Sequence, residues 1–266
     1  FADSPKASIS AICWVVVVGV AVAYFCFLIG RTCETTQSSN YREAWEKSVG
    51  LRGGIAVAVV NTLDPLLGIF ANASIMAQSL QSMLQTVEFH WTVVECLLLI
   101  TIVAILPLCL MENLSALVPF SATGVAAVVL TLAIMVLRFL DESYHPGGVF
   151  YEDLPPELKP KFGAQSSPWS TQALPFVCMV YTSFDMHYNS PRYYAELRDA
   201  NIKRFGIAVF VSFGAGSILL FSMAVAGFLT FGANSSSFIL NNYSPHDPLA
   251  TLCRLAIGLC ALAAYP

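Results

Sequence analysis

The chain predicts an all-α polytopic membrane protein, and three observations carry that reading. Of its 266 residues 56% are hydrophobic and 11% are charged, where an average soluble domain carries about 25% charged residues. Mean hydropathy is +0.68. The apolar residues also fall in blocks of about 20, the length at which a helix crosses roughly 30 Å of hydrocarbon. This make-up excludes an ordinary cytosolic enzyme and a disordered regulator. A net charge of −4 also excludes a nucleic-acid binder, since it cannot neutralise phosphates.

Seven membrane segments are expected in one transmembrane domain spanning 1–266, at 10–29, 53–84, 92–110, 116–137, 169–200 (broken), 207–229 and 249–266 (cut short). The chain opens on Phe1 and ends on Pro266 inside an apolar run, so it reads as a fragment with membrane segments missing. The first segment is too long for the 7–15-residue apolar stretch of a signal peptide. The second is too long to stand upright, and Pro65 with Gly68 offers a bend. In the third, Glu95 stands one turn in and reaches toward the interface. In the sixth, Gly214-Ala215-Gly216-Ser217 is a signal for close helix packing.

Eight cysteines lie in or beside apolar segments without metal-ligand spacing, and read as small packing residues. No disulfide framework is expected, and neither a metal nor a cofactor.

Charge sets the orientation. Arg31, Arg42, Lys47 and Arg52, with Arg192, Arg198, Lys203 and Arg204, fall on one side; Lys6, Arg138, Lys159 and Lys161 fall on the other. The positive-inside rule places 31–52 and 190–204 in the cytoplasm. Stretch 141–168, acidic and rich in proline, becomes an irregular outer cover. Of the glycosylation sequons, Asn72 lies in a span, Asn113 in a cytoplasmic turn, and Asn242 on the outer side but followed by Pro245, so Asn234 on the outer side is the candidate.

The most informative stretch runs from Tyr181 to Pro191. An apolar helix enters it, then Tyr181, Thr182, Ser183, Phe184, Asp185, His187 and Asn189 follow within nine residues. Ser190-Pro191 is a helix start signal, with Ser190 as cap and Pro191 in the first turn. The pattern predicts two half-helices with an unwound joint, the second running over 191–200. Backbone polar groups freed at such a joint are tolerated at membrane depth where protein or a water-filled cavity satisfies them. Transporters place substrates and ions at these joints, with a half-helix N-terminus facing an anionic group.

Asp64 is the second focus, in the middle of an apolar segment and followed by Pro65. The proline cannot donate to the Asn61 carbonyl, so Asn61, Thr62 and Asp64 gather oxygen groups there. An ionisable residue inside a span is a functional candidate, for a proton, a cation or a substrate amine; a structural pair with a base such as Arg254, or a protonated, hydrogen-bonded acid, is the alternative. Imidazole as a group changes charge near neutral pH, which makes His187 a second candidate proton carrier. The expected substrate contacts are Tyr181, Thr182, Ser183, Phe184, Asp185, Asn61 and Asp64, with Asp64 and His187 as coupling candidates.

These residues carry a resemblance. The run Pro175-Phe176, then Tyr181 to Tyr194 and Ala195-Glu196-Leu197, resembles the sixth helix of the amino acid/auxin permease family, which includes neutral and vacuolar amino acid transporters. Three other places agree. Ser39 to Glu43 with Val49-Gly50 resembles its first cytoplasmic loop. Leu106-Pro107-Leu108, followed by Leu114 and Ser121, resembles its fourth-to-fifth helix turn. Gly227-Phe228-Leu229-Thr230-Phe231-Gly232 with Ile239-Leu240 resembles its Gly-Tyr-Leu-Thr-Phe-Gly motif.

The resemblance implies an eleven-helix secondary transporter with a LeuT-like core of two inverted repeats. This chain would span its second to eighth helices, without the first. It implies an amino acid substrate, alternating access, and a plasma or vacuolar/lysosomal membrane. Sodium-coupled relatives place a hydroxyl residue before the proline of the eighth helix; here Ala263, Ala264 and Tyr265 precede Pro266. That weakens sodium coupling and leaves proton-coupled symport or facilitated exchange open. Asp64 is not part of the family pattern, and its role rests on its position alone.

Two other classes fit less well. A seven-helix receptor conflicts with the cytoplasmic N-terminus that the resemblance implies, and a retinal protein needs a Schiff-base lysine that 249–266 lacks. A membrane-embedded enzyme would need a convergent nucleophile and base, which the sequence does not show.

Overall fold

The computed structural model describes residues 5–85, 89–106, 118–162, 173–199, 201–236 and 238–263. These residues form nine α-helices joined by turns: α1 (Pro5–Thr36), α2 (Tyr41–Val49), α3 (Leu51–Gln85), α4 (Val93–Ile100), α5 (Val118–Leu140), α6 (Ala173–Ser183), α7 (Ser190–Glu196), α8 (Ile202–Phe231) and α9 (Pro248–Ala263). Among the described residues the only extended pairing is an isolated bridge between Lys161 and Gly232.

Among the described residues four helices are long and apolar enough to cross a membrane: Ile12–Thr36, Leu51–Leu84, Ala122–Leu140 and Ile202–Phe231. Val93–Val103 and Pro248–Ala261 are shorter apolar helices. Pro107, Leu108, Asn113, Leu114, Trp169 and the final Ala264 to Pro266 lie outside the described residues.

Several elements differ from the sequence expectation, each for a local reason. Stretch 31–52 is not a plain loop. Asn40 caps α2 by accepting the Glu43 N–H at 2.8 Å, and Glu43 reaches back to the Ser39 N–H at 3.2 Å. The Lys47 ammonium, then that Ser39 N–H, hold the Glu43 carboxyl below its ordinary range. Glu95 is a cap residue: its carboxylate accepts from the Thr92 N–H at 2.7 Å while Thr92 Oγ1 accepts from the Glu95 N–H, the reciprocal pair of a capping box. Beyond α4, residues Thr101–Ile105 widen into a single π-turn. α3 runs helical through Pro65.

The chain divides into two compact units. The first comprises Asp3–Leu66 and Gln165–Phe221. In it, Val15, Val18, Val22 and Cys26 recur at helical spacing on α1 and form a core with Val180 and Phe184, as one apolar stripe should. α1 packs against α2, α6 and α7. Gly19 lies on that stripe; a Cβ there would stand 2.8 Å from Ser217 Oγ and 3.4 Å from the Phe184 ring. In the small-residue run of α8, Ser217 and Gly216 thus serve close packing, while Gly214 faces open space.

The second unit comprises Leu67–Ala164 and Ser222–Pro266. α5 packs on α9, and the core joins Ile134 and Met135 to Tyr144, Phe231, Tyr243 and Cys253. Three rings, Tyr144, Phe231 and Tyr243, meet edge-on with centroids 4.9–5.5 Å apart. Asp247 binds the Arg138 guanidinium through two oxygens, at 2.9 and 2.6 Å, and accepts the Tyr144 hydroxyl at 2.9 Å. Burial, then the Asp247 charge, pushes the Tyr144 phenol far above its ordinary range, so it stays a neutral donor. The described cysteines are free thiols, with Cys26, Cys33, Cys96 and Cys253 buried.

The Gly227 to Gly232 motif has a steric basis here. A Cβ on Gly227 would stand 2.9 Å from Ile239, and Gly232 ends α8 at φ +61° beside the Lys161 carbonyl. Gly232→Ala should therefore lower stability by about 1–3 kcal/mol, the cost of a strained backbone residue. Thermal unfolding of the purified protein checks this, and an unchanged midpoint would refute it.

Candidate functional site

The site forms where α6 stops. The Thr182 and Ser183 hydroxyls donate back to the Cys178 and Met179 carbonyls. The Phe184 N–H closes a tight turn on Tyr181 O at 2.9 Å, and Met186 takes φ −134°, ψ 2°. Residues 184–186 belong to no helix, His187–Asn189 form one 3-10 turn, and α7 follows. Pro191 has no N–H to give the His187 carbonyl, so a continuous α-helix through this point is blocked.

Two details differ from expectation. The cap position is Asn189, not Ser190, and it makes no side-chain cap bond. α7 ends at Glu196 instead of reaching 200; seven residues are too few for its N-terminus to carry the expected anion-holding role.

The joint faces α3 within the first unit. Asp64, Asp185 and His187 each offer one ligand atom, and these atoms lie within 4.8 Å of one another. The side chains of Asp185 and His187 are 15% and 24% exposed. His187 Nδ1 stands 2.9 Å from Asp185 Oδ1, but the two are not aligned for a hydrogen bond, and neither atom has a hydrogen-bond partner elsewhere. Two carboxylates placed this close repel each other, and a proton or a cation between them removes the repulsion.

Two cavities open beside this cluster. One, of about 200 Å³, is lined by Tyr41, Val57, Val60, Asn61, Asp64 and His187. The other, of about 430 Å³, is apolar and includes Phe25, Ile29, Tyr41, Trp45, Tyr181 and His187 in its wall. Tyr41 and His187 border both.

The predicted residues are distributed as follows. Asp64, Asp185 and His187 meet, and Asn61 shares the smaller cavity with Asp64. Tyr181 lines the larger one, its ring 6.4 Å from the His187 ring. Thr182 and Ser183 are exposed, with their hydroxyls turned onto their own helix. Thr62 likewise donates to the Ala58 carbonyl, so it does not join the Asp64 oxygens. Phe184 lies in the core, 4% exposed and stacked on Phe213 at 5.8 Å. Arg254 gives its N–H groups to the Leu240, Tyr243 and Ser244 carbonyls. The Asn234 amide donates to the Lys159 carbonyl at 2.9 Å, a bond that a glycan on that nitrogen would break.

Sequence reasoning missed Tyr41 and Trp45. They sit four apart on α2, one turn of helix, and the Asn40–Glu43 cap that starts α2 was the available signal.

The family described as "Transmembrane amino acid transporter protein" matches residues 8–266. Among relatives, a Danio rerio protein named "Putative sodium-coupled neutral amino acid transporter 11" is 21% identical over 94% of this chain and 54% of its own. "Sodium-coupled neutral amino acid transporter 7" of Danio rerio is 21% identical over 94% and 52%. Its Xenopus laevis namesake is 27% identical over 40% of this chain and 23% of its own. The chain spans about half the length of the curated relatives it matches over most of its length. No solved structure matches it.

Proposed function

The chain belongs to the transmembrane amino acid transporter family, and from that premise we propose that it is part of a secondary transporter that moves neutral amino acids by alternating access. On this reading the α6–α7 pair is the broken helix of a LeuT-like core. The zwitterion sits at the joint, with its polar end toward Asn61. Its side chain extends toward the apolar cavity at Tyr181. The observation that carries the reading is the meeting of an interrupted helix with an intramembrane carboxylate, Asp64 against Asp185.

The coupling ion is a proton. Two neighbouring carboxylates and an imidazole form a proton relay, whereas hard cations take all-oxygen shells. The relatives' names favour sodium, so the experiment has both arms. The full-length protein is reconstituted into liposomes and supplied with labelled neutral amino acids under a pH gradient or a sodium gradient. Concentrative uptake is expected under the pH gradient alone. Uptake that requires sodium overturns the coupling assignment, and uptake under neither overturns transport.

A further inference from the structure

The geometry points to a binding site for a divalent transition-metal ion, Zn²⁺ in first place, formed by Asp64 of α3 with Asp185 and His187 of the joint. The donor set is the first ground. Imidazole nitrogen and carboxylate oxygen are both zinc donors, and three protein ligands leave the fourth position open; imidazole suits zinc, copper and nickel better than the hard cations. Separation is the second. Tetrahedral zinc with ligands at about 2.0–2.2 Å sets neighbouring donor atoms roughly 3.4 Å apart. Here all three donors lie within 4.8 Å, and the Asp185–His187 pair is at 2.9 Å. Rotation of the carboxylates spans that difference.

The third ground is independent of the cluster's composition. Asp185 Oδ1 and His187 Nδ1 are buried atoms without a hydrogen-bond partner, and buried polar atoms are normally satisfied. A metal ion seated between them takes a lone pair from each. The fourth position opens on the 200 Å³ cavity beside Asn61, which has room for a water ligand.

Occupancy has a mechanical consequence. Asp64 belongs to a continuous helix, while Asp185 and His187 belong to the interruption between two others. An ion held by all three ties the joint to α3 and takes the place of the coupling proton, so zinc inhibits. That inhibition rests on the transport reading; the binding does not.

The test uses the purified full-length protein, with Zn²⁺ in calorimetry and Co²⁺ as a spectroscopic probe. Expected are one ion bound at this site and a visible Co²⁺ absorption from nitrogen and oxygen ligands. Affinity should fall at least about tenfold in His187→Ala and in Asp64→Asn, a loss typical of damage to a metal's ligand environment. His187→Cys guards against misfolding as an explanation. It should keep the ion and add a thiolate-to-cobalt charge-transfer band in the near ultraviolet. No binding, equal affinity in all variants, or a Cys variant without that band would overturn the site. Failure of the metal-free protein to take up amino acids would sink the transport reading and leave the binding result standing.

Discussion

Asp247→Ala is expected to be the most destabilising single change in the second unit, at about 3–5 kcal/mol, the usual cost of leaving one partner of a buried ion pair alone. Asp247 is fully buried. It neutralises Arg138 through a two-point fork and accepts the Tyr144 hydroxyl. It also accepts the Leu249 N–H at 2.9 Å at the start of α9, so the same substitution removes a helix cap. Arg138 keeps Asp141 at 2.9 Å, but that carboxylate is more exposed and meets only one nitrogen. The unfolding midpoint of the detergent-solubilised protein should drop by roughly 10 °C. Combining Asp247→Ala with Arg138→Met should cost less than the sum of the two singles, because the stranded charge is then gone. A shift of a degree or less in Asp247→Ala would show that the fork contributes nothing.

The second large effect concerns coupling. Asp185→Asn fixes the side chain in a form resembling the protonated acid. Amino acid exchange between equal pools should then persist, while uphill uptake under a pH gradient collapses by roughly ten- to a hundredfold. That range corresponds to losing a charge-assisted contact worth about 1.5–3 kcal/mol. Asp64→Asn should behave in the same way, since the two carboxylates act as a pair. Reconstituted vesicles measure both modes in one preparation. Undiminished uphill uptake in either variant would remove these residues from the coupling step. Loss of exchange as well would place them in substrate binding instead.

Some of this architecture can be read from residue order. The apolar blocks lie on α1, α3, α5 and α8, because hydropathy at helical length is a property of a contiguous stretch. The interruption after Ser183 also has a local cause, Pro191 with the polar run before it. Two cap signatures, Asn40 with Glu43 and Thr92 with Glu95, stood in the sequence and define helix starts; a membrane-centred reading treats their acids as loop or interface charges. Phe184 shows the opposite limit. Its position in a polar run suggests substrate contact, and only the packing of α1 and α8 reveals that Gly19 and Phe213 receive it. The Asp64–Asp185–His187 cluster is a tertiary event. Asp64 stands more than a hundred residues from Asp185 and His187, and no spacing rule for metal ligands reaches that far.

The π-turn at Thr101–Ile105 alters how the third apolar segment must be indexed. An extra residue in one turn advances every later side chain by about 100° around the axis. A helical wheel drawn straight through Val93 to Leu106 therefore assigns the wrong compass bearing to Leu106. Leu106, one residue past the widening, is thus aimed about 100° away from the flank that the Val93–Ile100 stripe alone would give it.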